Sequence, residues 1–517
     1  MAFLLALLYF LSIFSSTYIL GQDHSYAPQN AECPSTSLIR AAGTVTSRNQ
    51  ALGTKESLYI RERRKTVVAD AYEDYMKNVE SSMRRNRARL PEYVKRILLG
   101  PSDHLPRVSG AMSGGGLRAS FVGAGILNAL DGRNQTSASK GTGGLLQVMD
   151  YITGLSGGAC LVMSLSQANF PSIYELTMGS DTDATEGWLA EMNFVAKTPL
   201  FLDTKWWVAL GAQVSQKALA GFEVSLGDVY SRILAYHFVN GTTRENFFDP
   251  QAEHGLEERL SDLSSRYSQP FPIITSVAES PGQGPIIQRG DAVPLSNNQY
   301  EFNMYESGSW DPNLASFIET SYLGSPLENG RPSGAKACPK AYRSFLPALK
   351  GVLSLIPNPF YGLGTSEYLD RNSKTLQLMD GSFGGVPARE VDAIVAFDAS
   401  DDVNGWPDGT SLKATSRRSK LLSNDVYPFP RIPESLSQIK ITRPTFFGCD
   451  EPEVPLVIYI PNSPSTDGST EATNLPTASL EVSQSRAFSL IEGGTKLASR
   501  GISNDPLLAW LFGLCSG

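Results

Sequence analysis

The chain alternates between short apolar runs closed by glycine and longer stretches with helical spacing. Ala2 to Leu20 (AFLLALLYFLSIFSSTYIL) is almost unbroken apolar sequence followed by polar GQDHSYAPQN. Such a run, with Ser, Thr and Gly where a peptidase would cut, predicts a secretory signal peptide over residues 1–21. From Arg61 to Leu99 a helical reading follows from Val67, Val68, Ala71, Tyr72 and Tyr75, which recur near a 3.6-residue period. Arg107 to Met112 then reads as a strand, Ser113-Gly-Gly-Gly116 as a turn, and Leu117 to Leu130 as a helix with Phe121, Val122, Gly125, Ile126 and Ala129 on one face. A second unit repeats the order: Leu145 to Leu155 includes a strand, Gly154-Leu-Ser-Gly-Gly158 turns the chain, and Ala159 to Ala168 is helix-like. Two strand–glycine-turn–helix units predict an α/β fold whose function sits at the carboxyl ends of its strands.

Further along, residues 175–345 lack a clear period and carry Pro/Gly-rich loops such as Glu279-Ser-Pro-Gly-Gln-Gly-Pro285, so they are expected to form insertions covering the sheet. Leu376 to Met379 reads as a strand ending in Asp380-Gly-Ser382, and Val391 to Phe397 as another, buried strand. Ser463 to Thr477 is a polar loop of low complexity with no apolar means to order it.

Composition narrows the function classes. The 517 residues are 41% hydrophobic and 19% charged, an ordinary globular balance. Net charge is 44 − 52 = −8, which argues against a nucleic-acid partner, since phosphate contacts need clustered cations. Locally the balance reverses: residues 61–99 hold 11 basic against 6 acidic side chains, and RERRK and RRNRAR either face water on helix surfaces or touch an anionic membrane. The 4 histidines (His24, His104, His237, His254) show no metal-ligand spacing and the 5 cysteines no CxxC, so neither a metal site nor a cofactor is expected. In an oxidising compartment Cys33, Cys338, Cys449 and Cys515 allow three pairings, with Cys160 the odd, buried thiol. The sequons Asn134-Gln-Thr and Asn240-Gly-Thr predict glycosylation, and the C-terminal DPLLAWLFGLCSG is too short and lacks the polar spacer of a GPI signal.

Three segments carry chemistry. Gly154-Leu-Ser156-Gly-Gly158 satisfies G-x-S-x-G, which raises a serine hydroxyl above a sheet at a helix N-terminus. Ser113-Gly-Gly-Gly-Leu-Arg-Ala119 puts three residues without Cβ before a helix, where their amides can converge on an oxyanion. Arg118, just inside that helix, has the fork geometry to clamp a phosphate. The serine needs a base, and two candidates stand open: a histidine after it, His237 or His254, or Asp380 at the end of its apolar strand.

Together SGGGLRA, GLSGG and DGS resemble the catalytic signature of the secreted fungal lysophospholipase/phospholipase B family, which is related to the cytosolic phospholipases A and to patatin. The likeness extends over most of the mature chain, through Phe302-Asn-Met-Tyr-Glu-Ser-Gly-Ser-Trp-Asp-Pro312, Tyr322-Leu-Gly, Gly330-Arg-Pro332 with Cys338, Pro357-Asn-Pro-Phe360, Glu390-Val-Asp392, Phe397-Asp398-Ala-Ser400, Trp406-Pro407 and Arg443-Pro-Thr-Phe-Phe-Gly-Cys449. It departs after Asp380-Gly, where the loop to the next strand is shorter, and at Cys160, where the family usually has Trp. The resemblance implies a single large patatin/cytosolic-phospholipase-like catalytic domain over residues 22–517, core about 105–460, with a central mixed sheet, flanking helices and insertions. It also implies a Ser–Asp dyad of Ser156 and Asp380, oxyanion-hole amides at Gly115 and Gly116, and a phosphate contact at Arg118. The expected enzyme is secreted and hydrolyses acyl esters of phospholipids and lysophospholipids at membrane or micelle surfaces, with no metal, nucleic acid or obligate protein partner. A second reading keeps the lipid pocket in a secreted lipid-binding glycoprotein without turnover.

Overall fold

The computed structural model describes residues 28–499 except 44–50, 181–184, 195–203, 248–266, 287–292, 333–337, 341–353, 381–388, 390, 423–426, 435, 437–440, 443 and 465–472. The leader 1–21, His24, His254 and Cys515 lie outside the described residues.

Twelve strands make one mixed sheet among the described residues. In chain order they are β1 (Ile39–Ala41), β2 (Val108–Met112), β3 (Met149–Gly154), β4 (Phe271–Ala278), β5 (Gln299–Phe302), β6 (Glu306–Ser309), β7 (Ser316–Glu319), β8 (Ser354–Pro357), β9 (Thr375–Asp380), β10 (Ala393–Asp398), β11 (Thr445–Phe447) and β12 (Leu456–Pro461). Their order is β11-β12-β10-β2-β3-β4-β5-β6-β7-β1, with β9 joined to β4 and β8 to β9. The stretch β12-β10-β2-β3-β4 is parallel. Every residue of β2, β3 and β10 is buried, as expected of parallel strands covered on both faces. From β4 outward to β1 the pairing is antiparallel.

The helices of seven residues or more among the described residues are α1 (Thr54–Arg63), α2 (Ala69–Arg85), α3 (Glu92–Leu98), α4 (Gly116–Leu130), α5 (Ser156–Gln167), α6 (Thr204–Leu219), α7 (Leu226–Phe238), α8 (Thr410–Leu421) and α9 (Gln484–Ala498). A π-helical turn over Arg64–Val68 joins α1 to α2. Helix α4 is buried along nearly all its length and is crossed closely by α9, where a Cβ on Gly125 would collide with Ile491 O and one on Gly494 with Val122 O.

Two expectations change. Residues 175–345 do not only cover the sheet: β4 to β7 extend it, because alternation within four-residue strands such as Gln299–Phe302 is too short to register as a period. The basic stretch 61–99 is not a uniform surface either. Arg63 is buried and donates to Gln147 O and Met149 O, and Arg64 is buried in an ion pair with Asp150. The rest of that stretch lies at the amino-terminal edge of the parallel strands, where Asn78 Nδ2 donates to Gly143 O and Ser82 Oγ to Lys140 O just before β3.

Two ties link distant parts of the chain. Cys33 and Cys338 form a disulfide across 305 residues, one of the three pairings left open, and Cys160 is the buried thiol as expected. Arg389 is in the core, where its buried guanidinium bridges Glu56 (2.7 Å) and Glu301 (2.8 Å). Its charge is compensated on both sides, the condition for keeping an ion in an apolar interior.

Candidate active site

Strands β2 and β3 end side by side, Met112 paired with Gly154. Each is followed at once by a helix, so the N-termini of α4 and α5 open at the same edge. The first amides of a helix have no intrahelical acceptor, and the aligned peptide dipoles favour negative charge there. Gly116 at the start of α4 and Ser156 and Gly157 at the start of α5 line one pocket.

Ser156 takes φ +49°, a left-handed conformation that a residue with a Cβ seldom adopts. Held strain at one serine on a strand-to-helix turn is the geometry of a nucleophile elbow. Close packing enforces it: a Cβ on Gly157 would collide with Gly116 O, and one on Gly158 would come within 2.5 Å of Met112 O. Gly114 lies directly against the serine, where an added Cβ would stand 2.9 Å from Ser156 Cβ and 3.3 Å from its Oγ. Gly115 and Gly116 both have positive φ, +137° and +63°. Gly116 reaches the pocket, whereas a Cβ on Gly115 would run into Ala399 O.

Asp380 ends β9 and pairs with Ser276 of β4. Gly154 pairs with Ile274 of the same strand. Because Ile274 and Ser276 pair on their other side with Phe302 and Tyr300 of β5, β3 and β9 occupy the same edge of β4 and run toward each other. Two residues of strand rise, about 7 Å, separate the two registers. The Asp380 side chain and Gly381 to Ser382 lie outside the described residues.

Arg118 is fully buried. Its Nε and Nη2 donate to Ala399 O at 2.9 and 2.6 Å, Nη1 to Leu475 O at 2.5 Å, and Nη2 also to Thr477 Oγ1 at 2.9 Å. Burial lowers its pKa, opposed by the carboxylates of Asp401, Asp398 and Asp402. A phosphate at this guanidinium would have to displace protein acceptors. What Arg118 holds here is a roof. Residues 475–482 cross above Ser156, and Thr477, Ala478, Ser479 and Leu480 line the pocket. Phe194 N donates to Leu480 O (3.0 Å) and Val482 N to Ala190 O (2.7 Å), fastening the roof's other side.

The pocket wall is apolar. Tyr230, Leu234 and Phe238 of α7, at i, i+4 and i+8, face it with Phe194, Leu117 and Cys160. Sequence reasoning missed this wall, although the spacing within α7 was a signal. A second carboxylate stands at the same edge: Asp398 at the end of β10 is buried, accepts from Tyr459 Oη (2.8 Å) and Ser400 Oγ (2.7 Å), and is pushed up by that burial.

Of the two histidines considered as bases, His237 is in the core. Its Nδ1 contacts Ile233 O at 2.8 Å and its Nε2 contacts Met192 O at 2.9 Å, between the rings of Phe194 and Phe247. Burial lowers its pKa to about 4. With both ring nitrogens against carbonyls it has no nitrogen to offer a serine. The sequon asparagines are both part-buried: Asn134 caps a short helix by accepting from Thr136 N and Ser137 N, and Asn240 N donates to Gln167 Oε1.

The lysophospholipase catalytic-domain family matches residues 108–354 and 385–514, an interrupted match whose gap holds Asp380. Lysophospholipase 1 of Candida albicans is 31% identical, over 92% of this chain and 82% of its own length. Lysophospholipase 3 of Aspergillus fumigatus is 32% identical (92% and 81%), and lysophospholipase 3 of Saccharomyces cerevisiae 28% (93% and 76%). Among solved structures, human GIVD cytosolic phospholipase A2 superposes with a TM-score of 0.60 at 17% identity. This chain is covered to 92% and spans 65% of that protein's length, a likeness of fold.

Proposed function

The chain belongs to the lysophospholipase catalytic-domain family and is a carboxylic ester hydrolase with lysophospholipase/phospholipase B function; we propose that it works through a Ser156–Asp380 dyad and an acyl-enzyme. In this reading Asp380 accepts the proton of Ser156 as its oxygen attacks the acyl carbonyl of a phospholipid or lysophospholipid. Amides at the start of α4, at Gly115 and Gly116, stabilise the tetrahedral oxyanion, a contribution of about 3 kcal/mol per donor in related chemistry. The glycerol oxygen leaves with a proton returned by Asp380. The same carboxylate then activates water, which releases the fatty acid and regenerates the serine.

One observation carries the reading: β3, ending beside Ser156, and β9, ending in Asp380, converge on one edge of β4. The strained φ of Ser156 and the apolar wall of its pocket support it further. Arg118 is proposed to set the height of the roof at the headgroup end of the pocket, through Leu475 and Thr477.

The decisive experiment is fatty-acid release from lysophosphatidylcholine by the wild type, Ser156→Ala and Asp380→Asn, with a fluorophosphonate probe mapped by peptide mass. The dyad predicts turnover and a single labelled peptide containing Ser156 in the wild type alone. Equal background release by all three would favour the lipid-binding glycoprotein instead. We also propose that the protein is secreted and glycosylated at Asn134 and Asn240; the Cys33–Cys338 disulfide, which persists in oxidising compartments, supports this. Cleavage at the leader and a glycosidase-sensitive mass in the culture medium would test it.

A further inference from the structure

The apolar wall of the pocket does not end inside the molecule. Tyr230, Leu234 and Phe238 continue one turn earlier along the i±4 ridge of α7 to Leu226, which is 38% exposed. From Leu226 to Phe238 the ridge runs about 18 Å. Before Leu226 the chain turns back into α6 through Ala218-Leu-Ala-Gly-Phe-Glu-Val-Ser225. Leu219 at this tip is 86% exposed, Ala218, Ala220 and Gly221 face water, and Phe222 and Val224 are half-buried.

The tip is held firmly. Lys217 and Asp228 form a buried ion pair across the base of the hairpin, and Ser225 and Asp228 cap α7 reciprocally. It also stands on the catalytic side. Glu223 accepts from Thr375 Oγ1 (3.1 Å), and Thr375 opens β9 beyond the carboxyl end of β4, the end toward which β3 carries Gly154 and from which β9 descends to Asp380.

We infer that the α6–α7 tip is a docking element for a lipid surface, with Leu219 entering the interface and the α7 ridge leading an acyl chain to Ser156. This rests on the lipid-substrate reading above. Its partner is specified by charge: across residues 218–226 the only ionic side chain is Glu223 and the chain is net −8, so the matching surface is zwitterionic, such as phosphatidylcholine, held by apolar contact. The other candidate face carries Tyr93, Ile97 and Leu99, each over 40% exposed, beside the cations of α2 and α3. It sits at the opposite edge of the sheet, and docking there would turn Ser156 away from the lipid.

The test uses the full chain with phosphatidylcholine vesicles, comparing wild type, Leu219→Asp and Leu219→Ile. Vesicle sedimentation and hydrolysis of vesicular substrate should each fall about tenfold or more in Leu219→Asp, the scale of losing one buried leucine. Hydrolysis of a monomeric short-chain lysophosphatidylcholine should stay at the wild-type rate, and Leu219→Ile should restore both vesicle readouts. Undiminished sedimentation of Leu219→Asp, an equal loss on monomeric substrate, binding confined to anionic vesicles with steep salt dependence, or a wild-type dimer split by Leu219→Asp would each overturn the inference. Sedimentation requires no turnover, so a wild type that sediments but releases no fatty acid would sink the hydrolase reading while leaving the docking element standing.

Discussion

Gly154 and Asp380 share one edge of strand β4, paired with Ile274 and Ser276, and their own strands approach it from opposite directions. The residue two places after Gly154 is the strained serine, so the two members of the proposed dyad are delivered by two strands meeting end to end. Removing either group should act on one step. Ser156→Ala and Asp380→Asn are each expected to lower kcat on lysophosphatidylcholine at least about a thousandfold, and the double variant no further, because members of a catalytic unit are not additive. Single and double variants measured side by side check this; additive losses would place Asp380 outside the unit.

Arg118 offers a contrast between holding a phosphate and holding a roof. Replacing it with Ala leaves Ala399 O and Leu475 O without their donors, at about 1–3 kcal/mol for each buried group. Unfolding in urea should therefore show a loss of about 3 kcal/mol or more, and activity should fall equally on lysophosphatidylcholine and on an uncharged monoacylglycerol. A selective loss on the phosphorylated substrate with unchanged stability would show instead that the guanidinium serves the phosphate.

Leu234 lies midway along the apolar wall. Enlarging it to Trp should obstruct long acyl chains before short ones. Palmitoyl ester turnover, as kcat/KM, is expected to drop about tenfold, the effect of excluding a few buried methylenes, with the butyryl ester little changed. Equal losses on both chain lengths would mean that the acyl group lies elsewhere.

His237 should make the fold acid-sensitive. Burial holds its folded pKa near 4, below the ordinary value of 6.5. Between those values the unfolded chain binds a proton that the folded one does not. Stability is therefore fully present above pH 6.5 and declines as pH falls toward 4, by about 3 kcal/mol in all. Unfolding midpoints of wild type and His237→Leu across that window should show a steep slope for the first and a flatter one for the second. Parallel slopes would assign the acid sensitivity to other groups.

Much of this could be read before any coordinates. The two glycine turns were legible because a Cβ-free run between an apolar strand and a helix has few alternatives, and Val391 to Phe397 read as buried because no polar residue interrupts its centre. Asp380 was legible as a strand end, but its meeting with Gly154 depends on a shared strand more than a hundred residues away from either. The sequence marks Arg63 and Arg64 as cations of a helix face or a membrane contact and Arg118 as a phosphate clamp, because most of their acceptors are backbone carbonyls that carry no side-chain signal. The roof over Ser156 was read as an unordered polar loop through Thr477, yet its described part, from Thr473 onward, is fixed by Arg118 across more than 350 residues.

The roof has a consequence for the order in which the molecule is made. Ser156 emerges first in synthesis, Asp380 follows 224 residues later, and the segment that closes the pocket, with α9 packed on α4, comes about a hundred residues after that. A chain interrupted before Thr473 would therefore present Ser156 in an open cleft, with Arg118 lacking the Leu475 and Thr477 acceptors that hold the cover in place.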